Sequence, residues 1–170
     1  MIEIETARLR LRKFCEADKL DMFEILSDEQ GCLDDGGYHA YQEMNEDFNE
    51  LFQMFIEQNR YAILLKEENK VIGILNLMEA DRATVAYEIG FRINRDYQRK
   101  GYAYEAVRAV IDTWFRENKT EMFLLTSYPF NTASCKLIEK LGFTYEGTIH
   151  KGHYHCVLGP VDLRSYYLEK

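Results

Sequence analysis

The sequence predicts an α/β fold, a mixed and strongly twisted central β-sheet flanked by helices, in the order β-α-α-β-β-β-α-β-α-β-β. Three observations carry that prediction. Between Thr84 and Trp114 the apolar rhythm changes: Val85, Tyr87, Ile89, Phe91 and Ile93 alternate as on one face of a strand. Tyr104, Val107, Val110, Ile111 and Trp114 then recur at helical spacing, with Arg108, Asp112 and Arg116 on the wet side. Upstream, Tyr61 to Lys66 and Val71 to Met78 are strand-like and joined by a polar turn, Glu67-Glu68-Asn69-Lys70, which reads as a hairpin. Downstream, the apolar run Glu121 to Tyr128 precedes a helical pattern from Asn131 to Leu141. Strands interleaved with helices build a sheet covered by helices.

The elements follow in order. Arg8 to Phe14 alternates basic and apolar residues and predicts an edge or near-edge strand. From Glu16 to Leu26, Ala17, Leu20, Phe23 and Leu26 mark a buried helical stripe. Gly31, Gly36 and Gly37 predict a loop, and Tyr41 to Gln58 a second helix that buries Met44, Phe48, Leu51, Phe52 and Phe55. Tyr38 and Tyr41 read as core. Asp81-Arg82 marks a turn into the central strand. The helix from Asn131 turns Ala133, Leu137, Ile138 and Leu141 inward and ends at Gly142. Phe143 to Ile149 and Leu163 to Leu168 are closing strands.

At 170 residues, 46% apolar and 14% aromatic, the chain is expected to form one domain, 1–170, with a single substantial core. No apolar run approaches the roughly 20 residues that span a bilayer, and no secretory signal heads the chain. Cys15, Cys32, Cys135 and Cys156 lack paired spacing, so reduced thiols and a cytoplasmic setting are expected. Net charge is −8, and it is uneven. Glu16 to Glu50 holds twelve acidic residues against one basic, Lys19, a local balance of −11; the rest of the chain carries +3. Without a basic stripe, nucleic acid is not an expected partner. The acidic segment is where a cationic ligand would be drawn.

Between the central strand and the long helix lies Gln98-Arg99-Lys100-Gly101-Tyr102-Ala103. Two cations precede a glycine at a helix start, where free amides and the helix dipole favour an anion. The same loop also reads as an ordinary connection with solvated cations. It has neither the Gly-Lys-Ser/Thr ending of a nucleotide P-loop nor the three glycines of a dinucleotide fingerprint. His150, His153, His155 and Cys156 sit close together, but no cysteine pair accompanies them, and a polar surface turn is the reading preferred over a metal site.

Gln98, Gly101 and Ala103 fit the pattern Gln/Arg-x-x-Gly-x-Gly/Ala and resemble the acyl-CoA loop of the GNAT superfamily of N-acetyltransferases. Three further segments extend the resemblance over essentially the whole chain. Thr6-x-Arg8-Leu9-x-Leu11-Arg12 is similar to the first strand of the Rim-type branch, which acetylates ribosomal-protein N-termini. Asn131 to Gly142, with Phe143, Glu146 and Gly147, resembles the second cofactor segment, and Asp162-x-x-x-Tyr166-x-Leu168 the last strand. The resemblance implies the GNAT fold and an enzyme that moves the acetyl group of acetyl-CoA directly to a primary amine, with no metal. It also implies that main chain at Phe91, Arg92 and Ile93 pairs with the pantetheine arm. Gln98, Arg99, Lys100, Gly101, Tyr102 and Ala103 would take the pyrophosphate, and Asn131 and Lys136 of the second segment would also hold the cofactor. Relatives often carry proline at Arg95 and glycine at Arg99. The tyrosine that several relatives use as general acid is replaced here by Ile138; the resemblance to Rim-type enzymes, whose equivalent serine is proposed to protonate the CoA thiolate, implies Ser134 as the candidate acid, and a serine bonded to a helix carbonyl is the alternative. Glu88, on the other face of the central strand from Ile89, is the candidate base; a carboxylate that merely satisfies a neighbouring strand or arginine is the alternative reading, and a water chain to solvent would also serve as base.

The expected acceptor is cationic, a protein N-terminus, a polyamine or an aminoglycoside; an acidic helix surface that serves solubility alone is the competing reading of the same segment. The expected partner is thus a small-molecule or peptide amine, with no membrane, and the chain is expected as a monomer or homodimer. A non-catalytic acyl-CoA sensor is the competing class.

Overall fold

Five consecutive buried residues, 61–65, lie in strand β3 (Arg60–Leu65), and a strand with two dry faces needs cover on both. The computed structural model, which describes residues 3–58 and 60–170, supplies it. Strands β1 (Ile4–Glu5), β2 (Leu9–Lys13), β3, β4 (Lys70–Glu79), β5 (Ala86–Ile93), β6 (Met122–Ser127), β7 (Thr144–His155) and β8 (Gly159–Glu169) form one sheet. Its order is β1-β2-β3-β4-β5-β6-β8-β7. Among the described residues only β5 and β6 run parallel; the other neighbours are antiparallel. Helices α1 (Lys19–Leu26), α2 (Glu29–Gly36) and α3 (Glu46–Glu57) lie on one face, α4 (Tyr102–Arg116) and α5 (Thr132–Lys140) on the other.

Each face has its own core. Leu9, Ile63, Leu75 and Ile89 pack against Val107, Ile111 and Ile138, whereas Ala62, Leu64 and Ile74 meet Met22, Ile25, Phe48 and Phe52. The period-two alternation of each strand sorts side chains between these layers. None of the helices among the described residues is long and apolar enough to cross a membrane.

The sequence-derived elements survive with several corrections; a two-residue strand, β1, precedes the first expected strand, and Tyr38, expected in the core, is 40% exposed. The glycine-containing stretch expected as a loop is helix α2. Its hold comes from afar: the Arg92 guanidinium, on β5, donates to the Gly31 carbonyl (3.1 Å) and Cys32 Sγ (3.1 Å) and pairs with Asp35 (3.3 Å). Tertiary bonds override the weak local propensity. In α1 the buried residues are Met22, Ile25 and Leu26, and Leu20 is 68% exposed. Residues Glu16–Asp18 form a 3₁₀ turn, in which buried Asp18 accepts from the Cys15 amide (2.8 Å) and holds Arg12 (2.6 Å), so the helical phase is set later than the pattern implied. In the remaining helices Met44 lies before α3 and is exposed, and Ala133 points out of α5 while Cys135 is buried. Finally, Val85 is exposed outside β5, and β7 and β8 reach much further than expected, turning only at 156–158. His150, His153 and His155 therefore lie in strand β7 rather than in a turn.

Candidate active site

Strands β5 and β6 pair over only three rungs, Ala86–Met122, Tyr87–Phe123 and Glu88–Leu124. Past that point each keeps its outer neighbour but leaves the other: β5 stays with β4 through Ile93, and β6 with β8 through Ser127. The parting opens a cleft of about 760 Å³ in the middle of the sheet. The register shows what faces it. The Asn94 amide donates to the Ile72 carbonyl (2.8 Å) and the Ala80 amide to the Ala86 carbonyl (2.9 Å), so even-numbered residues of β5 turn their main chain to β4. Phe91 therefore aims its N–H and C=O into the gap, as an extended ligand arm would require. Ile93 aims the same way, but its carbonyl is taken by Gln98 Nε2 (3.0 Å). Arg92 lines the cleft with its main chain turned to β4 and its guanidinium spent on α2.

At the wide end sits the basic loop. A 3₁₀ turn, Arg95–Tyr97, leads to Arg99 at φ 62° and Gly101 at φ 83°. The second is a left-handed conformation that glycine adopts without penalty. The loop's carbonyls are engaged on its outer side: Arg95 by the Gln98 amide (3.2 Å), Asp96 by Lys100 Nζ (3.0 Å), Lys100 by Arg8 Nη1 (3.0 Å) and Gly101 by the Glu105 amide (3.1 Å). Among the described residues, the amides of 99–104 have no such partners. Bare N–H groups at the start of a fifteen-residue helix, with the opposing dipole ends tied back, form an anion cradle. Gln98, Arg99, Gly101, Tyr102 and Ala103 all line the cleft; Lys100 stands behind it, its ammonium turned to Asp96 and the Tyr97 ring (5.1 Å). The donor set thus suits a diphosphate and the gap suits an extended arm, which is the pairing acetyl-CoA presents.

The two sheet faces give the cleft two distinct walls. Towards α4 and α5 lie Ser134, Lys136 and Leu137. The Ser134 hydroxyl has no hydrogen-bond partner among the described residues, so the alternative of a serine spent on a helix carbonyl is not what the structure shows; its amide is capped by Asn131 Oδ1 (3.0 Å). Towards α2 lie Glu88, Asp34, Asp35 and Tyr128. Glu88 accepts from the Thr126 hydroxyl (3.0 Å) just beyond the last rung, at the apex of the fork. Asn131 joins the walls: its amide nitrogen donates to the Asp34 carbonyl (3.1 Å) and to Asp35 Oδ1 (3.0 Å). Both ends of this side chain are occupied, so it braces the cleft. Burial pushes the Asp35 carboxyl above its ordinary value although Arg92 and Asn131 pull the other way.

Sequence reasoning missed one pair. Buried Tyr128, at the end of β6, bonds His153 Nδ1 (2.8 Å) across to β7, and both line the cleft. The α2 C-cap, Gly37, comes so close that a Cβ there would stand 2.5 Å from the Tyr128 hydroxyl. An aromatic residue beside Pro129 at a strand end was the only signal in the sequence. His155 is buried and accepts from the turn amides of Val157 (3.1 Å) and Leu158 (3.3 Å), while His150 pairs with Asp162 (3.0 Å). These histidines serve different partners, and no metal-holding group occurs among the described residues.

Residues 8–144 match the family described as acetyltransferase (GNAT) domain. The chain is 27% identical to the uncharacterized N-acetyltransferase YnaD of Bacillus subtilis over 157 residues, 88% of this chain and 87% of that protein. It is also 27% identical to the ribosomal protein uS5-alanine N-acetyltransferase of Escherichia coli over 129 residues, 75% of this chain and 64% of that protein. Among solved structures, an acetyltransferase (GNAT family) from Bacillus anthracis superposes with a TM-score of 0.88 at 28% identity, covering 99% of this chain and 98% of that one.

Proposed function

The chain belongs to the acetyltransferase (GNAT) family, whose members are acetyl-CoA-dependent N-acetyltransferases, and from that premise we propose that it acetylates a cationic primary amine entering along the α2 wall. The observation that carries the reading is the cleft's asymmetry: bare amides at residues 99–104 on one side, carboxylates of Asp34, Asp35 and Glu88 on the other.

Acetyl-CoA supplies an activated acyl group on a good thiolate leaving group. The chain's part is to hold it and to move two protons. The amides of 99–104 hold the diphosphate, and the main chain of Phe91 with the Ile93 N–H orients the arm. Glu88, kept at the fork by Thr126, takes the proton that the ammonium must lose to become a nucleophile. Ser134, with an uncommitted hydroxyl on the opposite wall, relays the second proton, lost by the nitrogen as the tetrahedral adduct collapses, to the departing sulfur. Arg99, Tyr102, Ala103 and Lys136 shape the cofactor side.

Much of the acidic segment is spent on structure. Asp18 pairs with Arg12, Glu24 with Lys70, Asp28 with Arg95 and Asp35 with Arg92. What remains for attraction in the cleft is chiefly Asp34, held by Gln30 (2.7 Å), beside Asp35, which is paired with Arg92 (3.3 Å). The attraction is therefore local to the mouth, and short-ranged in salt. Since the E. coli relative is named for an alanine of ribosomal protein uS5, peptide amines are tested first, followed by polyamines and aminoglycosides. Thiol release is measured with each and with an uncharged amine. The expected outcome is a KM that rises with salt for cationic acceptors alone; equal salt response for the neutral amine removes the charge argument. A thermal shift with CoA but not with ATP checks the donor side, since only a specific ligand stabilises by mass action.

A further inference from the structure

We propose that Arg8 is a positioning residue for the acyl-donor loop: it fixes the peptide between Lys100 and Gly101 so that the Gly101 N–H faces the cleft. The inference rests on residues 99–104 being the diphosphate cradle. Arg8 stands just before β2, far from the loop in sequence, and its guanidinium does two things at once. Nη1 donates to the Lys100 carbonyl (3.0 Å), while Nε and Nη2 grip Glu105 Oε2, both at 2.7 Å. The other carboxylate oxygen, Oε1, accepts from the Arg8 amide (3.0 Å) and the Thr6 hydroxyl (2.6 Å). The guanidinium also lies over the Tyr102 ring, 4.4 Å from its centre.

The consequence follows from peptide planarity. In a trans peptide the C=O and the N–H of one unit point in opposite directions, so seizing the Lys100 carbonyl from outside turns the Gly101 N–H inward. Without that hold the unit is free to flip, because glycine accepts conformations on both sides of φ zero at little cost. A flipped unit would present a carbonyl oxygen to an anion. Glu105, meanwhile, sits in the first turn of α4, where its charge would share the helix start with the bound diphosphate. Pairing with Arg8 ties that charge to the loop's outer side.

The test is isothermal titration of CoA, 3′-dephospho-CoA and pantetheine into the parent, Arg8→Ala, Arg8→Lys and Glu105→Gln. Loss of a charge-assisted bond predicts that Arg8→Ala weakens CoA and 3′-dephospho-CoA alike by about tenfold, with pantetheine unchanged. Arg8→Lys keeps the charge but not the fork that joins a carbonyl and a carboxylate, and should remain weaker than the parent. Glu105→Gln is the decisive variant. If only local charge mattered, removing a carboxylate beside an anion site would tighten CoA; released from its anchor, Arg8 should instead let affinity fall.

Several results would overturn the proposal. One is tighter CoA binding by Glu105→Gln, and another is full rescue by Arg8→Lys. A loss confined to CoA with its 3′-phosphate would mean direct contact. A lowered Tm in Arg8→Ala with unchanged affinity would mean a purely structural brace. If Arg8→Ala does not fold, the other two variants carry the test. A parent that binds no CoA at all would sink the donor-site reading itself, which is a different failure.

Discussion

Between residues 93 and 104 the cleft is walled by main chain, whereas from Gly31 to Tyr128 it is walled by side chains bonded to one another. On the first wall the side chains mostly turn away: Gln98 to the Ile93 carbonyl, Lys100 to the Asp96 carbonyl. What they leave bare is a row of amides, and any residue supplies an amide. On the second wall Arg92, Asp35, Asn131 and Tyr128 each have named partners, and few of these could be exchanged without leaving a buried polar group orphaned. The wall proposed for the common acyl donor is thus built to tolerate sequence change, and the wall proposed for the acceptor is built to be particular.

That contrast can be broken or sharpened by substitution, beginning with the largest effect. Glu88→Gln should lower kcat by roughly 10²–10⁴-fold with little change in the KM for acetyl-CoA. A loss below about tenfold in single-turnover assays would hand the base role to water. Arg92→Met should cost about 2 kcal/mol of stability by chemical denaturation, because it removes the buried guanidinium that ties α2 to β5 through the Gly31 carbonyl, Cys32 Sγ and Asp35.

Asp18→Asn extends the contrast beyond the cleft, to an acid spent on folding, and should cost about 2 kcal/mol. Burial opposes ionisation of Asp18, but Arg12 and the Cys15 amide outweigh it and hold its carboxyl below the ordinary value. Its contribution is accordingly complete above the ordinary carboxylate pKa and lost as pH falls through the lowered one, so parent and variant should converge in acid. Gly101→Ala meets no steric block, with Arg8 Nη2 3.5 Å from the new Cβ, but forces alanine to φ 83°. A strain of about 1 kcal/mol should raise the KM for acetyl-CoA roughly fivefold. Least of all, Arg99→Ala and Lys100→Ala should each change that KM by less than about threefold, as expected for exposed charges. A large loss from either would show that side-chain charge, and not the main chain, holds the diphosphate.

The sequence made one wall far more legible than the other. The donor side lies within one stretch, where a change of period marks strand and helix and a single glycine marks the turn between them. Gly101 and its neighbours could be read locally because the chemistry is local. The opposite wall is assembled from α2, β5, β6 and β7, and nothing in the glycines at 31, 36 and 37 announces a helix whose hold is an arginine some sixty residues away. The Tyr128–His153 bond is likewise a product of topology. The misjudged phase of α1 has the same origin, since Asp18 answers to Arg12 on the preceding strand rather than to the helical pattern. Gln98 was recognised, yet its amide proves to brace Ile93, a division of labour that only geometry reveals.

Three rungs join β5 to β6, and past Glu88 and Leu124 the two strands form no further ladder with each other. Such a molecule is a book with a short spine. A ligand that lies along the opened pages covers main chain that no strand covers, so amide exchange at residues 89–93 and 125–127 should report occupancy more sensitively than any residue at the apex.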